Sequence, residues 1–241
     1  MCAASASAME EFTWCEERSR EYTAAALLPC FAVHPQMPLL KLKSNSGQHG
    51  TLFMVSNELA VLENLAAQGR LSAVGETGFD LFNTEFRETE QIQEALFAGH
   101  IETALRYNLP LVLHVRRAMH KIFAYSQQLK KCTAIIFHSW SGTAAEGESL
   151  LRQGINAYFS FGTAIMLNHR EAMRCCAHFP ADRLLIETDA PYQPLRGAPY
   201  SSYTDLIRIL EAASALRGEE PAVLEKIIES NFRKAFLIPN S

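Results

Sequence analysis

Short apolar, β-branched segments alternate with longer stretches of helical periodicity along nearly the whole chain, and this alternation constrains the fold most strongly. The strand-like segments are Leu27–Val33, Leu71–Val74, Leu109–Val115, Thr133–Phe137, Ile155–Phe161 and Arg183–Ile186. Between them, Glu85–Asn108 carries Ile92, Leu96, Ile101 and Leu105 at helical spacing. Tyr203–Leu216 and Pro221–Phe236 read the same way, the second with a proline placed to open a helix. Near-continuously apolar strands separated by helices belong to a parallel sheet covered by those helices. The 241 residues match the length of one (β/α) barrel. The expected fold is therefore α/β, a TIM-like (β/α) barrel, forming a single domain over residues 1–241. Lys41–Gly50 is the one expected loop insertion, and Trp14 is expected in the core.

The residues just past each strand point to chemistry. The segments run into His34-Pro35, Gly75-Glu76, His114-Val115-Arg116, His138-Ser139, Ser160-Phe161-Gly162 and Glu187-Thr188-Asp189. Barrels of this type build their active sites at the C-terminal ends of parallel strands. Glu76, His114, His138 and Asp189 would then converge on one mouth. Each has an ordinary alternative: a histidine bonded to a carbonyl, Glu76 paired with an arginine, Asp189 capping a helix. Recurrence at four strand ends favours a shared site. Two imidazoles and two carboxylates suit zinc, or harder ions such as manganese or magnesium. The cysteines at 2, 15, 30, 132, 175 and 176 show neither a C-x-x-C pair nor zinc-ribbon spacing, so a thiolate zinc site is not expected.

Other signals are weaker. His49, His100, His120, His169 and His178 have no partner motif and read as surface or packing residues, and Cys175-Cys176 as buried packing. Gly75-Glu76-Thr77-Gly78 lacks the spacing and Lys-Ser/Thr ending of a phosphate loop, and no Gly-x-Ser-x-Gly elbow occurs. The 22 basic residues fall short of 26 acidic ones, a net charge of −4. A tight duplex binder normally carries a basic excess, so nucleic acid would be touched over a short stretch only. The opening MCAASASAMEEF has neither the basic region nor the apolar core of a signal peptide, and no apolar run reaches membrane-spanning length. Reduced thiols in a cytoplasm are the expectation.

The segments FAVHP (31–35), AVGETGFD (73–80), LHVRRA (113–118), FHSWSG (137–142), YFSFG (158–162), LIETDAPYQP (185–194) and NFRKAF (231–236) stand in an order that resembles the TatD family of metal-dependent deoxyribonucleases. The resemblance implies an amidohydrolase-like barrel holding one or two divalent ions (Zn, Mg or Mn). It implies that Glu76 bridges the ions, that His114 and His138 hold one of them, and that Asp189 sits on the other and takes the proton of the attacking water. Arg116 and Tyr192 fall where substrate phosphate would be bound. DNA or a short oligonucleotide is the implied, transient partner, with no membrane and no stable protein partner.

One departure matters. The family opens on a strand carrying Asp-x-His-x-His, and this sequence has no such motif. Cys2–Ser7 resembles the family's second strand, so the barrel is expected to be incomplete, without its first strand and helix and with apolar residues exposed beside Phe31–Val33. Two other functions stay open: hydrolysis of a small amide, ester or lactone on the same fold, and a degenerate metal-binding barrel without turnover.

Overall fold

The computed structural model describes residues 1–21, 27–44 and 50–237. The chain divides into two compact units, Met1–Ile135 and Ile136–Ser241. In the first, the elements run β1 (Cys2–Ala6), α1 (Met9–Glu21), β2 (Leu27–Phe31), α2 (Met37–Ser44), α3 (Gly50–Ala67), β3 (Ala73–Asp80), α4 (Thr84–Arg87), α5 (Glu90–Tyr107), β4 (Leu111–Arg116), α6 (Met119–Ala124) and α7 (Ser126–Leu129). β5 (Ile135–Phe137) begins at the boundary. The second unit continues with α8 (Ala144–Arg152), β6 (Ala157–Phe161), α9 (Arg170–His178), β7 (Leu184–Ile186), α10 (Asp205–Arg217) and α11 (Pro221–Ala235). The sequence-predicted α/β, TIM-like class is the one observed.

Within the first unit β1, β2, β3 and β4 pair in chain order, all parallel. In the second, β6 and β7 are parallel neighbours. Parallel neighbours in chain order require a crossover after each strand, and the helices supply it. Phe12 of α1 packs edge-on against Phe31 of β2, with ring centroids 5.9 Å apart. Phe79, Phe97 and Tyr125 form a second aromatic cluster between β3, α5 and α6. In the second unit Phe137, Trp140, Phe159 and Phe179 interlock. Each buried phenylalanine contributes about 1.5–3 kcal/mol through lost contact with water.

Two helices open where their sequences say they should. α8 opens on a reciprocal capping box, Thr143 with Glu146. α11 opens on Pro221, and its buried Asn231 donates through Nδ2 to the carbonyls of Ala181 and Leu184 at 2.8 and 2.9 Å. That pair of bonds is the physical content of the NFRKAF segment: it ties the last helix to the start of β7. No helix among the described residues is long and apolar enough to cross a membrane.

Three expectations need correction. Lys41–Ser44 are helical, the end of α2, while residues 45–49 of the expected loop, His49 among them, lie outside the described residues. Glu85–Asn108 is two helices, because Asn83 caps the first through Phe86 N–H and the chain restarts after Thr89. Trp14 is exposed on α1, where Arg18 lies over its ring. Phe31–Val33 themselves are buried, because β1 pairs along β2 and α1 covers Phe31, while Cys2 and Ala3 of β1, paired beside β2, are exposed.

The glycines of the GETG segment are required by close backbone approach. Between Gly75 and Thr77 the register of β3 against β4 skips one residue, so Glu76 is the extra residue of a bulge. Bulges re-aim a side chain, and Glu76 is partly exposed in a strand otherwise buried throughout. A Cβ on Gly75 would lie 2.4 Å from Val112 Cβ. One on Gly78, at φ +129°, would lie 2.3 Å from the His114 carbonyl oxygen. Gly78→Ala is therefore expected to destabilise the protein by about 1–3 kcal/mol in urea denaturation. Gly69→Ala, at φ +65° with open space around it, should lower stability less.

Candidate metal centre

In the first unit three donor residues come from three consecutive parallel strands and their ends. His34 follows β2, Glu76 is the bulged residue of β3, and His114 lies in β4. One ligand atom from each lies within 4.8 Å of the others. His34 Nε2 is 3.7 Å from Glu76 Oε2, and the His34 and His114 rings meet edge-on at 4.6 Å. Two imidazoles and a carboxylate at this spacing fit a divalent cation of the zinc or manganese type. Sequence places Glu76 and His114 in such a set. His34 is the addition, a residue of the FAVHP segment that also sits where a strand runs out.

Asp80 organises this cluster. Its carboxylate is fully buried, and Gln36 Nε2 donates to Oδ2 at 2.7 Å and Phe82 N–H to Oδ1 at 3.0 Å. Burial pushes its carboxyl toward protonation, but the bonds from His114, Gln36 and Phe82 overcome this and hold it well below the usual carboxylate range. An ionised carboxylate only accepts. His114 Nε2, 3.2 Å away, therefore carries the proton, and Nδ1 carries the lone pair a metal would use. Arg116 also donates to Asp80 Oδ2, at 3.4 Å, and its side chain is 41% exposed.

Beneath the donors lies His100, fully buried on α5. Its Nε2 accepts from Val33 N–H at 3.3 Å, so Nδ1 is protonated and donates to Thr77 Oγ1 at 2.5 Å. It thus joins the residues next to His34 and Glu76.

The second unit repeats the pattern with other residues. His138 Nδ1 is 2.9 Å from Glu187 Oε1, which also accepts from Ser139 N–H at 2.8 Å and Ser139 Oγ at 2.5 Å. Burial pushes the Glu187 carboxyl up, but His138 and these donors outweigh it and hold it at about 2. His138 Nδ1 is therefore the protonated nitrogen, and Nε2 turns its lone pair toward Asp189 Oδ2, 3.9 Å away. Gln193 Nε2 bridges Asp189 Oδ2 at 2.6 Å and Ser139 Oγ at 2.7 Å. Ser139, Asp189 and Gln193 all have left-handed backbones, at φ 43°, 52° and 53°. Left-handed non-glycine residues concentrate at functional sites, and three of them here lie in one bonded cluster. Tyr192 is exposed, and its backbone N–H donates to the Asp189 carbonyl at 2.7 Å.

Besides His34, Asp80 and Glu187 are the candidate site residues that sequence reasoning misses. Both lie inside recognisable segments, GETGFD and ETDAPY, but a carboxylate's work on a histidine tautomer depends on burial.

A parallel α/β protein with imidazole–carboxylate donor sets at its strand ends defines the class of metal-dependent hydrolases. The sequence profile of the TatD related DNase family matches residues 1–237, and the chain belongs to that family. It is 33% identical over 187 residues to the 3'-5' ssDNA/RNA exonuclease TatD of Erwinia billingiae, covering 75% of this chain and 71% of that one. It is 32% identical over 183 residues to an uncharacterized metal-dependent hydrolase TatD of Mycobacterium tuberculosis, covering 73% and 69%. The crystal structure of YJJV, a TatD homologue of Escherichia coli, superposes with a TM-score of 0.81 at 24% identity, over 98% of this chain and 86% of that one.

Burial holds the His100 ring neutral, its pKa lowered to about 3. In the unfolded chain a histidine titrates near 6.5, so below that pH the unfolded state binds a proton the native state refuses. Stability from this residue is intact above about pH 6.5 and falls as pH drops toward 3. Denaturant midpoints at pH 7 and pH 5 should show His100→Gln losing about 2 kcal/mol less than wild type over that step.

Proposed function

We propose that the chain hydrolyses phosphodiester bonds of DNA or a short single-stranded oligonucleotide, with Glu76, His114, His138 and Asp189 as its metal-holding and proton-handling residues. The supporting observation is the first donor set: Glu76 and His114, joined by His34, within ligand reach at consecutive strand ends. Family membership, and relatives named as exonucleases, support the substrate class. The reading takes residues 1–241 as one hydrolytic domain, in a cytoplasm that suits six free cysteines.

A divalent cation at these donors (Zn, Mg or Mn, as one ion or two) supplies Lewis acidity and positive charge beside the phosphate under attack. This chain's residues do the rest. Asp80 and Glu187 fix the tautomers of His114 and His138, so both present lone pairs without reorganisation. Asp189, held by Gln193, accepts the proton of the attacking water at its carboxylate. Arg116, anchored on Asp80 and partly exposed, offers its remaining N–H groups to a phosphate oxygen. Tyr192 lies exposed beside Asp189 and meets the substrate from that side.

The test is hydrolysis of a 5′-labelled single-stranded oligonucleotide beside p-nitrophenyl acetate. Chelation should abolish oligonucleotide cleavage, and manganese or zinc should restore it. Asp189→Asn should lower the rate by about 10²–10⁴-fold, the range of a lost general base. Fast ester hydrolysis with an intact oligonucleotide would replace this reading with a small-ester hydrolase; neither activity would leave a metal-binding barrel.

A further inference from the structure

Just outside the first donor set, the turn after β3 carries an aromatic ring set among arginines. Phe82 is 42% exposed, at a turn whose neighbour Leu81 is buried. The Arg116 guanidinium carbon lies over its ring at 4.2 Å from the centroid, and that of Arg117 at 4.6 Å. Arg117 Nη1 also donates to the Phe82 carbonyl at 3.1 Å, and Arg87 Nε donates to the Leu81 carbonyl at 3.2 Å. Three arginines thus surround one turn. Among the described residues Asp80, on Arg116, is the only carboxylate within ion-pair distance of any of them. Arg117 holds a left-handed backbone, φ 55°, which a non-glycine residue adopts only where its surroundings impose it.

This patch is continuous with the donors. Arg116 reaches Asp80 Oδ2 at 3.4 Å, and the same oxygen lies 3.2 Å from His114 Nε2. In a chain of net charge −4, clustered arginines with little counter-charge beside a metal-type centre fit an anionic ligand. An exposed ring with two guanidinium groups lying over it fits an unpaired base, because bases stack on aromatic faces and on guanidinium planes alike. A duplex offers no free base face.

We propose that Phe82, Arg116 and Arg117 form a subsite for single-stranded nucleic acid, in which a base stacks on the Arg–Phe–Arg layer and Arg117 holds its phosphate. As the place for the nucleotide next to the cleaved bond, the subsite rests on the hydrolytic reading above. Its binding role is measured separately. The occupant is recognised by stacking and charge, so the subsite tolerates any base sequence.

The experiment is fluorescence anisotropy of the full chain with a 5′-fluorescein octathymidylate whose phosphorothioate linkages resist cleavage, followed over a salt series. Phe82→Ala should raise Kd about tenfold, within the range for losing one stacked base. Phe82→Trp should restore binding, and Phe82→Leu should not. Arg117→Gln should weaken binding and reduce the slope of log K against log salt by about 0.7, the value for one phosphate contact on a single strand. Wild-type affinity and an unchanged slope in both Phe82→Ala and Arg117→Gln would overturn the subsite, as would failure of the wild-type chain to bind. If the wild type binds as expected yet leaves an ordinary octathymidylate uncut with manganese or zinc, the hydrolytic reading falls while the subsite stands.

Discussion

The buried carboxylate of Asp80 is the interaction on which the first donor set depends. A charge removed from water is tolerable only when donors surround it, and Asp80 collects them from three places. Gln36 comes from beyond β2, Phe82 N–H from the turn after β3, and His114 and Arg116 from β4. Its own backbone is held as well: Gln93 of α5 accepts from Asp80 N–H and donates to the Asp80 carbonyl. One carboxylate therefore fixes the ends of neighbouring strands, sets the tautomer of a candidate ligand, and orients Arg116. Loss of its charge would leave all three loose together.

A second constraint acts on the backbone. β3 approaches β4 so closely that a methyl group at Gly75 or Gly78 would collide with Val112 or with the His114 carbonyl. The bulge between these glycines turns Glu76 out of an otherwise buried strand. Stability and function meet here: the close pairing that packs the sheet also places Glu76 and His114 within ligand reach of one another. The second unit reaches the same end differently. It places left-handed residues, Ser139 and Asp189, where β5 and β7 run out, and locks them with Glu187 and Gln193.

Much of this is legible in sequence, for identifiable reasons. The strands announce themselves because parallel strands are apolar on both faces, and Pro221 marks the start of α11 by a local rule. Glu76, His114, His138 and Asp189 can be named because their positions at strand ends follow from that strand reading. His34 also stands where a strand runs out, but only the fold shows its meeting with Glu76, 42 residues on in the chain. Asp80 and Glu187 stay hidden because ionisation and hydrogen-bond direction are set by surroundings no local pattern encodes. The break between α4 and α5 is missed because Asn83 and Thr89 stand in a polar run where a cap looks like any exposed residue. Trp14 is misplaced because ring size argues for burial, while its position on α1 faces it outward.

On this account imidazole and carboxylate side chains at the strand ends hold a divalent ion. X-ray absorption at the zinc edge of the zinc-loaded chain tests this most directly, since imidazole rings leave an outer-shell signature that carboxylate, water and thiolate ligands lack. The expected spectrum shows imidazole scattering that weakens in His114→Ala, with no sulfur in the first shell. Sulfur coordination from any of the six cysteines, or a spectrum that His114→Ala leaves unchanged, would contradict it.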